Sequence, residues 1–332
     1  MIEVDRDTED ATSQSAMSRL MYFPVPMFAC IMGLMGFSLA LRSAHVVLDT
    51  GYALSQGVLW FGIAAFVIIA SLYLVKLIRY PEAVMAEWRH PGRMAFFPAI
   101  SIGLLLIGAA ILPHSESVAR IVWLVGVVLQ GFLTLAVISG WISQRSFEVG
   151  QLTPAWFIPA VGNVVAPVAG VQLGYIELSW LFFSTGIVFW GVLLTLVFNR
   201  LIFHDPIPAK LLPTLVVLVA PPMVGFSAYV TLTGELDSFA RILLNSGYVF
   251  AALVAVQAPK FVRLPFALSW WALSFPVAAL SIASFRFAVM AGSFAHVVIG
   301  TAVLILLIII MASLVWRTIL AIMRDEICVP EM

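Results

Sequence analysis

Ten apolar stretches of about twenty residues, each closed by charge or turn residues, run along the chain, and that length matches the hydrocarbon thickness of a bilayer. They fall near residues 24–42, 53–78, 94–112, 118–142, 154–173, 178–199, 211–232, 239–258, 266–286 and 294–320. Links such as residues 114–117 and 174–177 are too short to let a neighbour run parallel, so the pattern predicts five consecutive helical hairpins. One longer link, residues 79–93, contains Tyr80-Pro81 and His90-Pro91 and predicts an amphipathic turn at the membrane interface.

Proline divides the ten stretches into two kinds. Every odd-numbered stretch contains it: Pro24 and Pro26; Pro98; Pro159 and Pro167; Pro213, Pro221 and Pro222; Pro276. No even-numbered stretch does. Proline removes a backbone donor and kinks a helix, and a freed carbonyl finds a partner more readily against protein or water than against lipid. The expected fold is therefore an all-α polytopic membrane protein. Its inner ring of five Pro-kinked helices surrounds a central pore, and five straight helices face lipid. Common occurrence of proline in membrane helices is the alternative reading.

Composition supports the bilayer: 62% of the 332 residues are hydrophobic, 10% are charged, and mean hydropathy is +1.08. A soluble domain carries roughly 25% charged residues. Seventeen basic and seventeen acidic residues give no net charge and no general attraction to nucleic acid. Residues 1–22 are expected to form a disordered acidic tail (Glu3, Asp5, Asp7, Glu9, Asp10), unlike a cleavable signal. Residues 23–320 form the membrane domain and residues 321–332 a short tail. With the N-terminus inside, thirteen of the seventeen basic residues lie on the cytoplasmic side, leaving only Arg42, Arg120, Arg241 and Arg286 outside. That bias predicts a multi-pass inner (plasma) membrane protein with both termini cytoplasmic.

The odd stretches carry hydroxyls and one amide (Ser38, Ser101, Asn163, Thr214, Ser227, Thr231, Ser274, Ser281, Ser284) but no mid-depth carboxylate or histidine of the kind proton relays use. A neutral, hydroxyl-lined path tolerates anions better than cations, which permits an anion passage without identifying one. Arg42 and Arg286 outside, with Arg93 and Lys210 inside, could concentrate anions at the two mouths; interfacial anchoring explains each equally well. Aromatic residues recur in the odd stretches, where packing is their commoner role. Phe275 differs because it immediately precedes Pro276, whose kink directs neighbours toward the axis. No HExxH, phosphate-binding loop, GxSxG or paired His/Cys spacing occurs, so no enzyme, cofactor or metal is expected. Cys30 and Cys328 form no disulfide framework.

Particular stretches carry a family resemblance: Ala95 to Pro98 after His90-Pro91, FIPAVGN at 157–163, LGY at 173–175 followed by LFF at 181–183, APPMVGFSAY at 220–229, and WWALSFP at 270–276. In this order and spacing, from about Phe23 to Arg317, the chain resembles the slow-type anion channel, tellurite-resistance and C4-dicarboxylate transporter family. The resemblance implies a homotrimer in the bilayer, each protomer with its own pore. It also implies that Phe275 gates that pore and that Phe28, Phe96, Phe157, Phe226, Ser274 and Pro276 line it. The expected cargo is a small anion such as chloride or nitrate. The alternative is a secondary carrier exporting sulfite, tellurite or a C4-dicarboxylate such as malate. Kinase control through long tails, a property of the plant members, is not expected here.

Overall fold

The computed structural model describes residues 19–143 and 149–328, and its regular elements there are all helical. In chain order the principal segments are α1 (Val25–Leu48), α2 (Ala53–Arg79), α3 (Pro91–Ile111), α4 (Glu116–Ser143), α5 (Pro154–Gly170), α6 (Ile176–Phe203), α7 (Ala209–Thr233), α8 (Ser238–Lys260), α9 (Leu268–Ala291) and α10 (Phe294–Met323). Among the described residues, nine of these are long and apolar enough to cross a membrane. The shorter apolar α5 is further divided, with Phe157–Val165 and Pro167–Gly170 meeting at Ala166. Residues 1–18 and 329–332 of the two expected tails, and Arg145, lie outside the described residues.

Winding follows proline. Along α2, α4, α6 and α10 the chain is one uninterrupted α-helix of 27 to 30 residues. The odd segments are composite. A 3-10 turn over Val25–Met27 precedes the α-helix Phe28–Leu48, and another over Pro154–Trp156 precedes Phe157–Val165. An eleven-residue 3-10 stretch, Ala209–Val219, precedes Ala220–Thr233, and Leu268–Leu273 precedes Ser274–Ala291. In α3 a turn at 95–97 separates Pro91–Met94 from Pro98–Ile111. The first turn of an α-helix has no use for its N–H groups, so a helix that restarts at proline loses no hydrogen bond. What the sequence leads one to expect as a kink is a change of winding.

Burial alternates in the same rhythm. In its most apolar stretch α1 is 83% buried, α3 83%, α7 78% and α9 67%; α2, α4, α6, α8 and α10 reach 17%, 39%, 28%, 28% and 28%. Every residue of Phe157–Val165 is buried. Packing runs from α1 to α3, α3 to α5, α5 to α7, α7 to α9, and from α9 back to α1. Each even helix lies against the odd helix before it and touches the next odd one.

Lipid tails are as apolar as leucine, so hydrophobicity does not hold such helices together, and close approach at small residues does. Each even helix sets a glycine against its preceding odd partner: Gly62, Gly126 (with Gly140 on the same helix), Gly186, Gly247 and Gly300. A methyl group at Gly126 would stand 3.1 Å from the Leu105 backbone nitrogen, at Gly186 3.0 Å from the Ala160 carbonyl oxygen, and at Gly300 2.8 Å from Phe285 Cδ1. At Gly62 and Gly247 it would strike the side chains of Met35 and Met223.

Arg19 pairs with Asp325, so both ends of the described chain emerge on one face, called here the end face. The link after α2 is more than an interfacial turn. It forms a helix, Pro81–Arg89, whose Glu87 is drawn inward. Glu87 accepts hydrogen bonds from Lys76 Nζ at 2.8 Å, the Tyr73 hydroxyl at 2.9 Å and the Val25 N–H at 3.1 Å, and Lys76 also donates to the Phe23 carbonyl at 2.7 Å. Lys76 and Glu87 are 1% and 2% exposed. This pair clamps the short helix to α2 and to the start of α1.

Candidate functional site

Two cavities lie along the middle of the bundle. The larger, about 560 Å³, opens where α1, α7 and α9 end, on the face opposite the chain ends. The smaller holds about 30 Å³ on the other side of Phe275. Both linings draw on α1, α3, α5, α7 and α9 or the residues just past their ends, and on no even-numbered helix. Phe275 is the one residue that lines both, and it is 7% exposed.

Local structure fixes that ring. The 3-10 turns of Leu268–Leu273 give way to α-helix at Ser274, whose hydroxyl donates to the Trp271 carbonyl at 2.6 Å. Trp271 Nε1 in turn donates to Thr318 Oγ1 on α10 at 2.9 Å, which anchors the turn that aims Phe275. Across from it α1 presents Gly36, where an added methyl would stand 3.2 Å from Phe275 Cδ2. One turn earlier Gly33 faces Ser274 and Trp271. The ring therefore occupies space that only a missing side chain on α1 leaves free.

The other expected lining residues divide into two groups. Phe96 and Pro276 line the smaller cavity. Phe28, Phe157, Phe226 and Ser274 line neither and are fully buried between helices. Phe28 packs edge-on against Phe66 and Tyr73 of α2, with centroids 6.2 and 5.6 Å apart, and Phe226 against Phe287 at 6.3 Å.

The expected hydroxyl lining is instead largely apolar, and of the polar residues named from the odd stretches only Ser227 reaches a cavity. A hydroxyl in a dry helix bundle satisfies itself on the nearest carbonyl or amide. Ser38 and Ser55 each donate to the other's carbonyl, at 2.9 and 3.0 Å. Ser101 donates to Gln130 at 2.7 Å, Ser281 to the Gly300 carbonyl at 3.0 Å, and Ser284 meets Tyr248 at 2.8 Å. Asn163 donates to Thr134 at 3.1 Å and to the Pro159 carbonyl at 2.8 Å, joining α4 to α5. These groups hold helices together.

Charge in the cavities is positive. Arg42 and Arg286 line the larger one, and among the described residues no aspartate or glutamate lines either. The acid Asp237, in the link before α8, caps that helix through the Ala240 N–H at 2.9 Å. That bond, followed by the one from Tyr229, holds its carboxyl below the ordinary range. Among the described residues no group of His, Cys, Asp and Glu could hold a metal.

Residues 22–319 match the family model described as voltage-dependent anion channel, SLAC1. The chain belongs to that family. Among SLAC1-family relatives, the S-type anion channel SLAH3 of Arabidopsis thaliana is 27% identical over 281 residues, which cover 82% of this chain and 44% of SLAH3. The guard cell S-type anion channel SLAC1 of the same plant is 24% identical over 280 residues, 81% of this chain and 50% of its own length. The chain thus spans about half the length of these two plant relatives. It matches far more of the tellurite resistance protein TehA homolog of Haemophilus influenzae, at 27% identity over 296 residues, 85% of this chain and 90% of that protein. These SLAC1-family relatives are described as channels and a resistance protein, none as an enzyme.

Sequence reasoning missed Gly36 and Gly33, the Trp271–Thr318 anchor, and the Lys76–Glu87 pair. A signal for the first existed: two glycines three residues apart in an inner helix mark a close approach.

Proposed function

We propose that the chain passes small anions, such as chloride or nitrate, as a channel or uniporter whose passage is closed by the ring of Phe275. Ten segments cross the membrane as five hairpins, α5 included, and the five composite helices ring the passage. The observation that carries the reading is that, among the described residues, Phe275 alone lines both cavities. The closed order of packing from α1 through α9 and back supports the ring. An even number of crossings agrees with the Arg19–Asp325 pair, and the thirteen-to-four bias of basic residues supports a cytoplasmic position for that face in a plasma-membrane protein. A lining with arginines and no carboxylate favours anions over cations. By resemblance the protein assembles as a homotrimer with one passage per protomer.

The test is Phe275→Ala in proteoliposomes. Removal of the ring is expected to raise chloride and nitrate flux several-fold over wild type at equal protein incorporation, and unchanged flux would sink the gate. A second reading, a carrier of sulfite, tellurite or a C4-dicarboxylate, draws on the match to 90% of the TehA homolog. Saturable flux driven by a pH gradient would favour it, and the absence of an acid from the linings counts against proton coupling.

A further inference from the structure

We propose that the larger cavity holds a docking site for a doubly charged oxyanion, bound between Arg42 of α1 and Arg286 of α9 before it reaches Phe275. The inference rests on the anion reading of the same passage for its purpose, though the site itself is defined by different residues from the gate.

The two arginines come from adjacent helices, line one cavity and are each partly buried. Each guanidinium carries five donors. Among the described residues Arg42 reaches a single acceptor, the Ala109 carbonyl, from Nη1 at 3.4 Å. Among the described residues Arg286 has no hydrogen bond and no ion pair. A cation withdrawn from water needs a counter-charge, and no carboxylate lines this cavity to supply it. The remaining polar lining, Ser43, Gln172 and Ser227, offers neutral hydroxyl and amide groups.

Ligand class follows from charge, shape and room. A single halide neutralises one guanidinium, and balancing both takes two halides that repel each other within one cavity. A dianion neutralises both, and one with several oxygens also meets the planar fork of each arginine with paired hydrogen bonds. About 560 Å³ accommodates such an ion with part of its hydration, far more room than a bare halide needs. Anchoring to lipid headgroups, the usual task of arginine at a helix end, calls for a residue on the outer surface of the bundle, whereas these two lie on the inner helices and line the central cavity. Entry from this side therefore passes two positive charges before it meets an apolar ring, which separates recognition of the anion from control of its passage.

Sulfate serves as the probe. Binding to the full-length purified protein in detergent is measured at low millimolar sulfate and constant ionic strength, by calorimetry and by the shift in thermal unfolding. Wild type is expected to bind sulfate in preference to chloride. Arg42→Gln and Arg286→Gln are each expected to weaken it by about tenfold or more, the scale of one charge-assisted contact. Sulfate binding equal to wild type in both glutamine variants, or none in wild type, overturns the site. If the glutamine variants fail to fold, Arg42→Lys and Arg286→Lys keep the charge and lose the fork. Sulfate binding weakened a few-fold then supports the site, and wild-type affinity in both overturns it. Chloride flux through Phe275→Ala is read separately. Sulfate binding without flux refutes the passage and leaves the docking site, and flux without sulfate binding does the reverse.

Discussion

Lys76 and Glu87 are opposite charges held almost wholly out of water, with Tyr73, Phe23 and Val25 completing their hydrogen bonds. Such a pair adds little net stability, but removing one member strands the other. Lys76→Met is expected to cost about 3–5 kcal/mol, measured by denaturant unfolding in detergent, and the double change with Glu87→Leu to recover most of that. A single variant as stable as wild type would show that Glu87 finds water. At this scale the sequence is read unevenly. Phe275 stood out because it precedes Pro276 inside WWALSFP, yet Phe157 also begins an α-helix after a 3-10 turn and its ring is buried outside both cavities. Spacing names the residues near a change of winding; it does not record contacts such as that of Trp271 with Thr318, which tie the turn before Phe275 to α10. Lys76 read as one more cytoplasmic cation, since its partner lies in a different helix and no local pattern links the two.

The helices themselves show why proline was the informative residue. Hydropathy alone does not separate the inner segments from the outer, because lipid and protein interior are equally apolar surroundings. Proline does, since the odd segments change winding beside it, whereas α2, α4, α6 and α10 run unbroken and α8 changes winding only in its last three residues, at Pro259. Hydropathy also located α5, but not its division at Ala166, because Pro167 breaks hydrogen bonding without changing apolarity. The even helices are best probed at their glycines. At Gly186 an added methyl would stand 2.6 Å from Val164 Cγ1 and 3.0 Å from backbone atoms of α5, whereas five residues on, at Gly191, it would meet nothing within 4 Å. Gly186→Ala is expected to destabilise by about 1–3 kcal/mol, the range for forcing atoms into a packed core. Gly191→Ala is expected to be neutral or to stabilise by up to about 1 kcal/mol through helix propensity. Equal melting temperatures for the two variants would mean that α6 slides freely on α5.

For the whole molecule the claim open to a direct test is its orientation. With both ends on the basic face, a fluorescent protein fused after Met332 is expected to glow in the cytoplasm, while alkaline phosphatase at the same point stays inactive; the opposite result would invert the proposed topology. The expectation rests on Arg and Lys in the links, since charge bias is a property summed over the chain and survives errors in any single boundary. The packing of α9 on α1 agrees with the ring expected from proline, although no local feature records which residues meet across more than two hundred positions.

That contact makes the packing order cyclic although the covalent order is linear. Between α2 and α3 the link that holds the helix Pro81–Arg89 joins one pair of helices to the next; between the last pair and the first, Arg19 and Asp325 stand beside each other in its place. An exposed ion pair contributes little stability, so the circle is closed by the contact of α9 with α1 and not by a bond. The molecule has a beginning and an end as a chain, and neither as a solid.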